Sequence, residues 1–169
     1  MYVDKYSNFW RRFFAIWIDS IVFIPLEWID DYVFSGVINS GGVFAWGVAY
    51  SLIGIAYYVG MHAKYGQTIG KMITRVKVVD VSESRNLTLK QSCMRDIVPI
   101  MFIPFQVYSY AQLSFYGQTW ESLEQGRAFI FVGYVAIGWV LLEFISMLFN
   151  HKRRAIHDFI AGSVVVRKV

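Results

Sequence analysis

Four apolar stretches, residues 13–29, 43–61, 97–116 and 128–149, dominate this 169-residue chain. Each is close to the length of about 20 residues that a helix needs to cross a hydrocarbon core. The second and third contain no charged residue, the first holds Asp19 and Glu27, and the fourth holds Glu143. With 56% hydrophobic residues, 18% aromatic residues and a mean hydropathy of +0.43, the chain is too apolar for a soluble domain of this size. The expected fold class is an all-α polytopic membrane protein, a single domain of four transmembrane helices over residues 1–169. Basic residues ahead of the first stretch imitate a secretory signal, but that stretch is long and acidic, and no small-residue cleavage site follows. It reads as an uncleaved span.

Charge orients the spans. Lys5, Arg11 and Arg12 precede the first, seven basic residues from Lys64 to Arg95 lie between the second and third, and five from Lys152 to Lys168 follow the fourth. Only Arg127 of the 16 basic residues falls on the other side, where Asp30, Asp31, Glu121 and Glu124 lie. The positive-inside rule then places both termini and the loop 62–95 in the cytoplasm, consistent with a bacterial cytoplasmic membrane. The pI near 9.2 reports this topology and contact with anionic lipid at the cytoplasmic face, not nucleic-acid binding. Trp10, Trp28, Tyr32 and Trp120 suit the interfacial belts.

Within the cytoplasmic segments, residues 75–80 and 87–89 have strand propensity around a polar turn at 82–86, and residues 163–169 form another β-branched run. These predict a small cytoplasmic β-hairpin joined by the C-terminal strand. All three prolines, Pro25, Pro99 and Pro104, fall within spans. Such a helix either bends to line a cavity or simply packs, because neighbours in membranes satisfy the freed carbonyls. Gly47, Ser51 and Gly54 offer a close helix approach.

Several motifs fail. Gly66-Gln-Thr-Ile-Gly70-Lys71 lacks the spacing of a phosphate loop and has Met72 where a hydroxyl should bind magnesium. It reads as a surface turn opening a short amphipathic helix. His62, His151 and His157 match no zinc-ligand spacing, and Cys93 is a lone thiol. Asn86-Leu-Thr88 is a glycosylation sequon on the wrong side of the membrane. No nucleophile–base pair suggests an enzyme, and neither a metal nor a cofactor is expected.

The remaining signal is a set of charges near one depth. Asp19 follows Arg12 by seven residues, so both share a helix face about 10 Å apart along the axis. A carboxylate at that depth costs several kcal/mol unless paired or hydrated. Glu143 lies seven residues before Asn150, at a matching depth. If the first and fourth spans are neighbours, Asp19 and Glu143 would share a proton or coordinate a cation. The alternative is structural: Asp19 pairs with Arg12, Arg154 or a backbone group, and Glu143 snorkels or hydrogen-bonds.

Phe9-Trp-Arg-Arg12 through Asp19, the loop Gly66–Lys71 running into Val76–Asp80, and Arg154-Ala-Ile-His-Asp158 through Gly162 together resemble the RDD membrane-protein family over nearly the whole chain. The family is named for one arginine and two aspartates, which by motif position are Arg12, Asp19 and Asp158. Ser163 stands where a threonine is frequent, and Glu143 matches no motif. The resemblance implies transport, with cation/proton antiport proposed for some members, and an Arg12–Asp158 ion pair that gates or staples the bundle. The expectation is exchange of Na+ or K+ for H+ by a homo-oligomer, with Asp19 and Glu143 binding ion or proton. Its rival is a non-transporting scaffold or accessory subunit.

Overall fold

A computed structural model describes residues 5–168; the predicted last strand residue, Val169, lies outside them. Four long helices cover the four apolar stretches: α1 (Phe9–Tyr32), α2 (Ser40–Tyr65), α5 (Ile97–Phe115) and α7 (Arg127–Leu148). Two of them, α2 and α7, are long and apolar enough by length and composition to cross a membrane. The other two are more polar, because α1 carries Arg11, Arg12, Asp19, Glu27, Asp30 and Asp31, while α5 mixes prolines, glutamines and tyrosines into its 19 residues. α1 and α2 overrun their apolar stretches at both ends, whereas α5 and α7 match theirs to within a residue. α2 continues through His62 and Lys64, favourable charges for a helix C-terminus, and stops at Gly66.

Short elements fill the rest: α3 (Ile69–Ile73), β1 (Val76–Asp80), α4 (Leu89–Arg95), α6 (Trp120–Glu124), α8 (Ile156–Ala161) and β2 (Ser163–Arg167). The sheet differs from the expected hairpin. β1 pairs antiparallel with β2, from Val76 opposite Arg167 to Asp80 opposite Ser163. Residues 87–89 do not join it, because Thr88 and Gln91 form a reciprocal capping box that commits the segment to α4. Leu87 instead packs under the sheet with Val76, Val78 and Val165, while Tyr6, Val79 and Val164 cover the other face. Both faces are therefore occupied by the protein itself.

This platform ties distant parts of the chain together. The Asn8 amide donates to the Val165 carbonyl at 2.6 Å, and Arg167 N–H donates to the Lys5 carbonyl. Glu83 accepts from Lys5, Tyr6 and Lys152, and its hydrogen bonds from Lys5 and then Tyr6 hold its carboxyl down at about 2. Above the platform α2 packs along α5, and α3 lies on α1. Gly47 permits the α2–α5 approach, since a Cβ there would run into the Tyr110 ring.

Candidate functional site

Asp19 faces the loop after α2. Its Oδ1 accepts from the Tyr57 hydroxyl at 2.9 Å and from Gly70 N–H at 2.7 Å, and its Oδ2 accepts from Thr68 Oγ1 at 2.6 Å. The carboxylate is 1% exposed. Thr68 is also the N-cap of α3, so Asp19 and Thr68 jointly hold the start of that helix against α1. Gly70 is required here, because a Cβ would collide with the Ala15 carbonyl and come within 2.9 Å of Asp19 Cγ. Asp19 thus meets a backbone group and two hydroxyls, and no hydrogen bond or ion pair joins it to Arg12 or Glu143.

Arg12 turns to the other motif aspartate. Its Nη2 donates to Asp158 Oδ2 at 2.9 Å, and its Nη1 donates to the Arg153 carbonyl. Arg95, at the junction of α4 and α5, brings Nη1 to 2.9 Å from Asp158 Oδ1. Ser163 Oγ and Ala155 N–H also donate to this carboxylate, which is fully buried. Burial pushes the Asp158 carboxyl up, but Arg95 and then Arg12 outweigh it and hold the group well below the usual carboxylate range. One buried anion is shared by two buried cations, an arrangement in which removing any member leaves an uncompensated charge.

The cluster continues through His157. Glu143 accepts from His157 N–H at 3.0 Å and lies 2.5 Å from its Nδ1, while Arg95 Nη2 is 2.6 Å from Nε2. Because arginine can only donate, Nε2 accepts and Nδ1 carries the proton toward Glu143. Burial, and then the Arg95 charge, lower the His157 pKa, which fits this neutral tautomer. Glu143, His157, Arg95, Asp158 and Arg12 therefore form one chain of polar contacts from α7 to α1. Glu143 is engaged with α8 and Asp19 with α3, so the structure does not bring the two together.

A cavity of about 940 Å3 lies between the four long helices. Its platform end is walled by Arg12, His62, Lys71, Arg95, Asp96 and His157, its middle by α5 and α7 side chains including Pro99, Phe102, Gln106 and Trp139, and its far end by Tyr110 and Trp120. Neither Asp19 nor Glu143 lines it. Burial, and then repulsion from Arg95, lower Lys71 to about 8. Among the described residues no group of three His, Cys, Asp or Glu side chains is placed to hold a metal ion.

Sequence reasoning passed over Arg95, counted only as a topological charge, and His157, weighed only as a zinc ligand. Both had a signal. Arg95-Asp96 stands directly before an apolar span, as Arg12 does, and His157 is inside the motif that carries Asp158.

A family model described as the RDD family matches residues 6–162. The chain is 26% identical over 169 residues to the uncharacterized membrane protein YteJ of Bacillus subtilis (strain 168), covering 96% of this chain and 82% of the relative. No solved structure matches it.

Proposed function

This chain belongs to the RDD family, and from that premise we propose that it is a proton-linked transport protein of a bacterial cytoplasmic membrane. In this reading α1, α2, α5 and α7 all cross the bilayer. Both termini, the sheet, α3, α4 and α8 lie on the cytoplasmic side, where the basic residues collect. The observation that carries the reading is the cavity between the long helices, apolar along its length and charged at its platform end. Its size falls at the upper end of the range of about 300–1,000 Å3 found for small-molecule sites.

Exchange through Asp19 would require Tyr57, Thr68 and Gly70 to release the carboxylate first. His62 and Asp96 need no such release. Both stand at the cavity wall, with His62 Nδ1 3.6 Å from Asp96 Oδ2. The proton-carrying role therefore fits that pair better than Asp19 and Glu143. The Arg12–Asp158–Arg95 cluster closes the platform end, and Arg12 and Arg95 expose part of their surface to the cavity.

A second reading has its own support. Asp19, Glu143 and Asp158 all spend their oxygens on internal partners, as the charges of a scaffold or accessory subunit would. Reconstituted vesicles separate the two. With a pH-sensitive dye inside, addition of Na+, K+ or phosphate should dissipate an imposed pH gradient with wild-type protein. Gly54→Phe should abolish the signal, because Gly54 lines the cavity and a Cβ there meets nothing within 4 Å. His62→Gln should abolish it too, and Asp19→Asn should retain it in whatever protein folds. No flux with any of the three, together with a partner protein retained through purification, would support the scaffold.

A further inference from the structure

We propose that the platform end of the cavity is a binding site for a phosphate-type oxyanion, free or borne as the headgroup of a ligand whose apolar part lies along the rest of the cavity. The inference deepens the transport reading by naming the ligand class, and rests on it for the cavity being a solute chamber.

Three observations converge. The first is unspent donors. Half-buried Lys71 reaches the cavity wall from α3, within electrostatic reach of Asp19 and Asp96 but with no hydrogen bond or ion pair to its ammonium among the described residues. His62 faces the same cavity from α2 at 2% exposure, with neither ring nitrogen hydrogen-bonded and Nδ1 standing 3.6 Å from Asp96 Oδ2. Arg95, 5% exposed and paired with Asp158 at 2.9 Å, adds a further positive charge to this wall. Buried polar groups in native proteins are almost always satisfied, so His62 and the unpaired Lys71 ammonium beside one cavity point to an acceptor that completes them.

The second is the sign of the wall. The acids near this end are turned elsewhere. Asp158 serves Arg12 and Arg95, Asp19 serves Tyr57, Thr68 and Gly70, and Glu143 serves His157. Only Asp96 joins the wall here, against Arg12, Lys71 and Arg95. The other lining acid, Glu27, is fifteen residues beyond Arg12 on α1, about 22 Å along the axis. The wall contributed by α7 carries no charge.

The third is shape of demand. An ammonium is a point charge with three rotatable donors, and a guanidinium is a planar fork. Together with imidazole they suit a group with several acceptor oxygens better than a single carboxylate. Beyond them the lining is largely aliphatic and aromatic, including Phe102, Ile103, Phe129 and Val132, which matches an apolar body joined to that group.

Two sources share this chemistry, a phospholipid headgroup and a small free phosphate, and binding without any gradient distinguishes them. Full-length protein is placed in nanodiscs of phosphatidylcholine with and without phosphatidic acid, and native mass spectrometry records retained lipid. In parallel, inorganic phosphate is titrated against the thermal midpoint of protein in detergent. Lys71→Gln should weaken whichever ligand binds by about tenfold, the loss of one charge-assisted contact. Lys71→Arg should restore most of it, and both variants should unfold at the wild-type temperature without ligand. Retention of phosphatidic acid identifies the lipid source, and a Lys71-dependent midpoint rise with phosphate identifies the free anion. If neither probe shows a response that Lys71→Gln diminishes, the oxyanion site is wrong. Vesicle flux that persists in that case leaves the transport reading standing, and binding without flux leaves the site standing.

Discussion

Asp158 is the residue on which the most charge converges. It is fully buried between Arg12 and Arg95 and takes two further donors from Ser163 and Ala155. An aspartate in the unfolded chain is half-ionised near pH 3.9, and here the two arginines hold the folded-state value well below that. Between the two values the unfolded chain binds more protons than the folded one. This contribution to stability is therefore complete above about pH 4 and is lost as the pH falls below it. The apparent Tm in detergent, followed by helical circular dichroism, should drop as pH is lowered from 5 to 3. Asp158→Asn should lower the Tm at pH 7, by loss of about 3–5 kcal/mol, and flatten the acid dependence. An unchanged acid slope would place the acid-sensitive group elsewhere. Charge pattern and depth made Asp19, Glu143 and Arg12 legible in the sequence, and motif position added Asp158. Their pairing was not legible, because a helix face says where a side chain points without saying which loop folds back to meet it. Asp19 met Gly70 and Thr68 only because the chain after α2 returns to α1.

At the scale of elements, the four long helices could be read from hydropathy, and the propensity of β1 and β2 from their valines. What hydropathy could not give was strand pairing. The hairpin reading treated 87–89 as strand on propensity, whereas the capping chemistry of Thr88 and Gln91 decided for helix, and β1 found its partner 80-odd residues away in β2. The same holds for helix contacts. Gly47 looked suited to a close approach, yet only the structure shows that the approaching group is the Tyr110 ring. Replacing Gly47 by Ala should push α2 and α5 apart or force Tyr110 from its place, at a cost of about 1–3 kcal/mol typical of overpacking. Tyr110→Ala removes the obstacle, so the double variant Gly47→Ala/Tyr110→Ala should be destabilised by clearly less than the two single losses added together. Additive losses in apparent Tm would mean that the two residues do not meet.

For the whole molecule, the arrangement that gives meaning to every smaller feature is the side on which the platform lies. The N-terminal segment through Arg12, the connection from Lys64 to Arg95 and the segment after α7 meet in one body through Asn8, Glu83 and the β1–β2 pairing. They carry fifteen of the 16 basic residues, and only Arg127 stands at the opposite ends of the helices with Glu121 and Glu124. In the proposed reading a body assembled from three chain segments stays on one side of the bilayer, and the lysine and arginine bias points to the cytoplasmic side. Labelling tests this directly, because Cys93 is the single native thiol. In a Cys93→Ser background, Ser84→Cys reports the platform and Ser122→Cys reports α6, both positions being solvent-accessible. A membrane-impermeant maleimide applied to intact cells should modify the variant at 122 and leave the one at 84 untouched until the membrane is opened. Labelling at 84 in sealed cells would invert the molecule, and labelling at both would remove α5 from the bilayer. Either result would place the Arg12–Asp158–Arg95 cluster outside the cytoplasmic mouth and deprive the cavity of the access that the proposed transport requires.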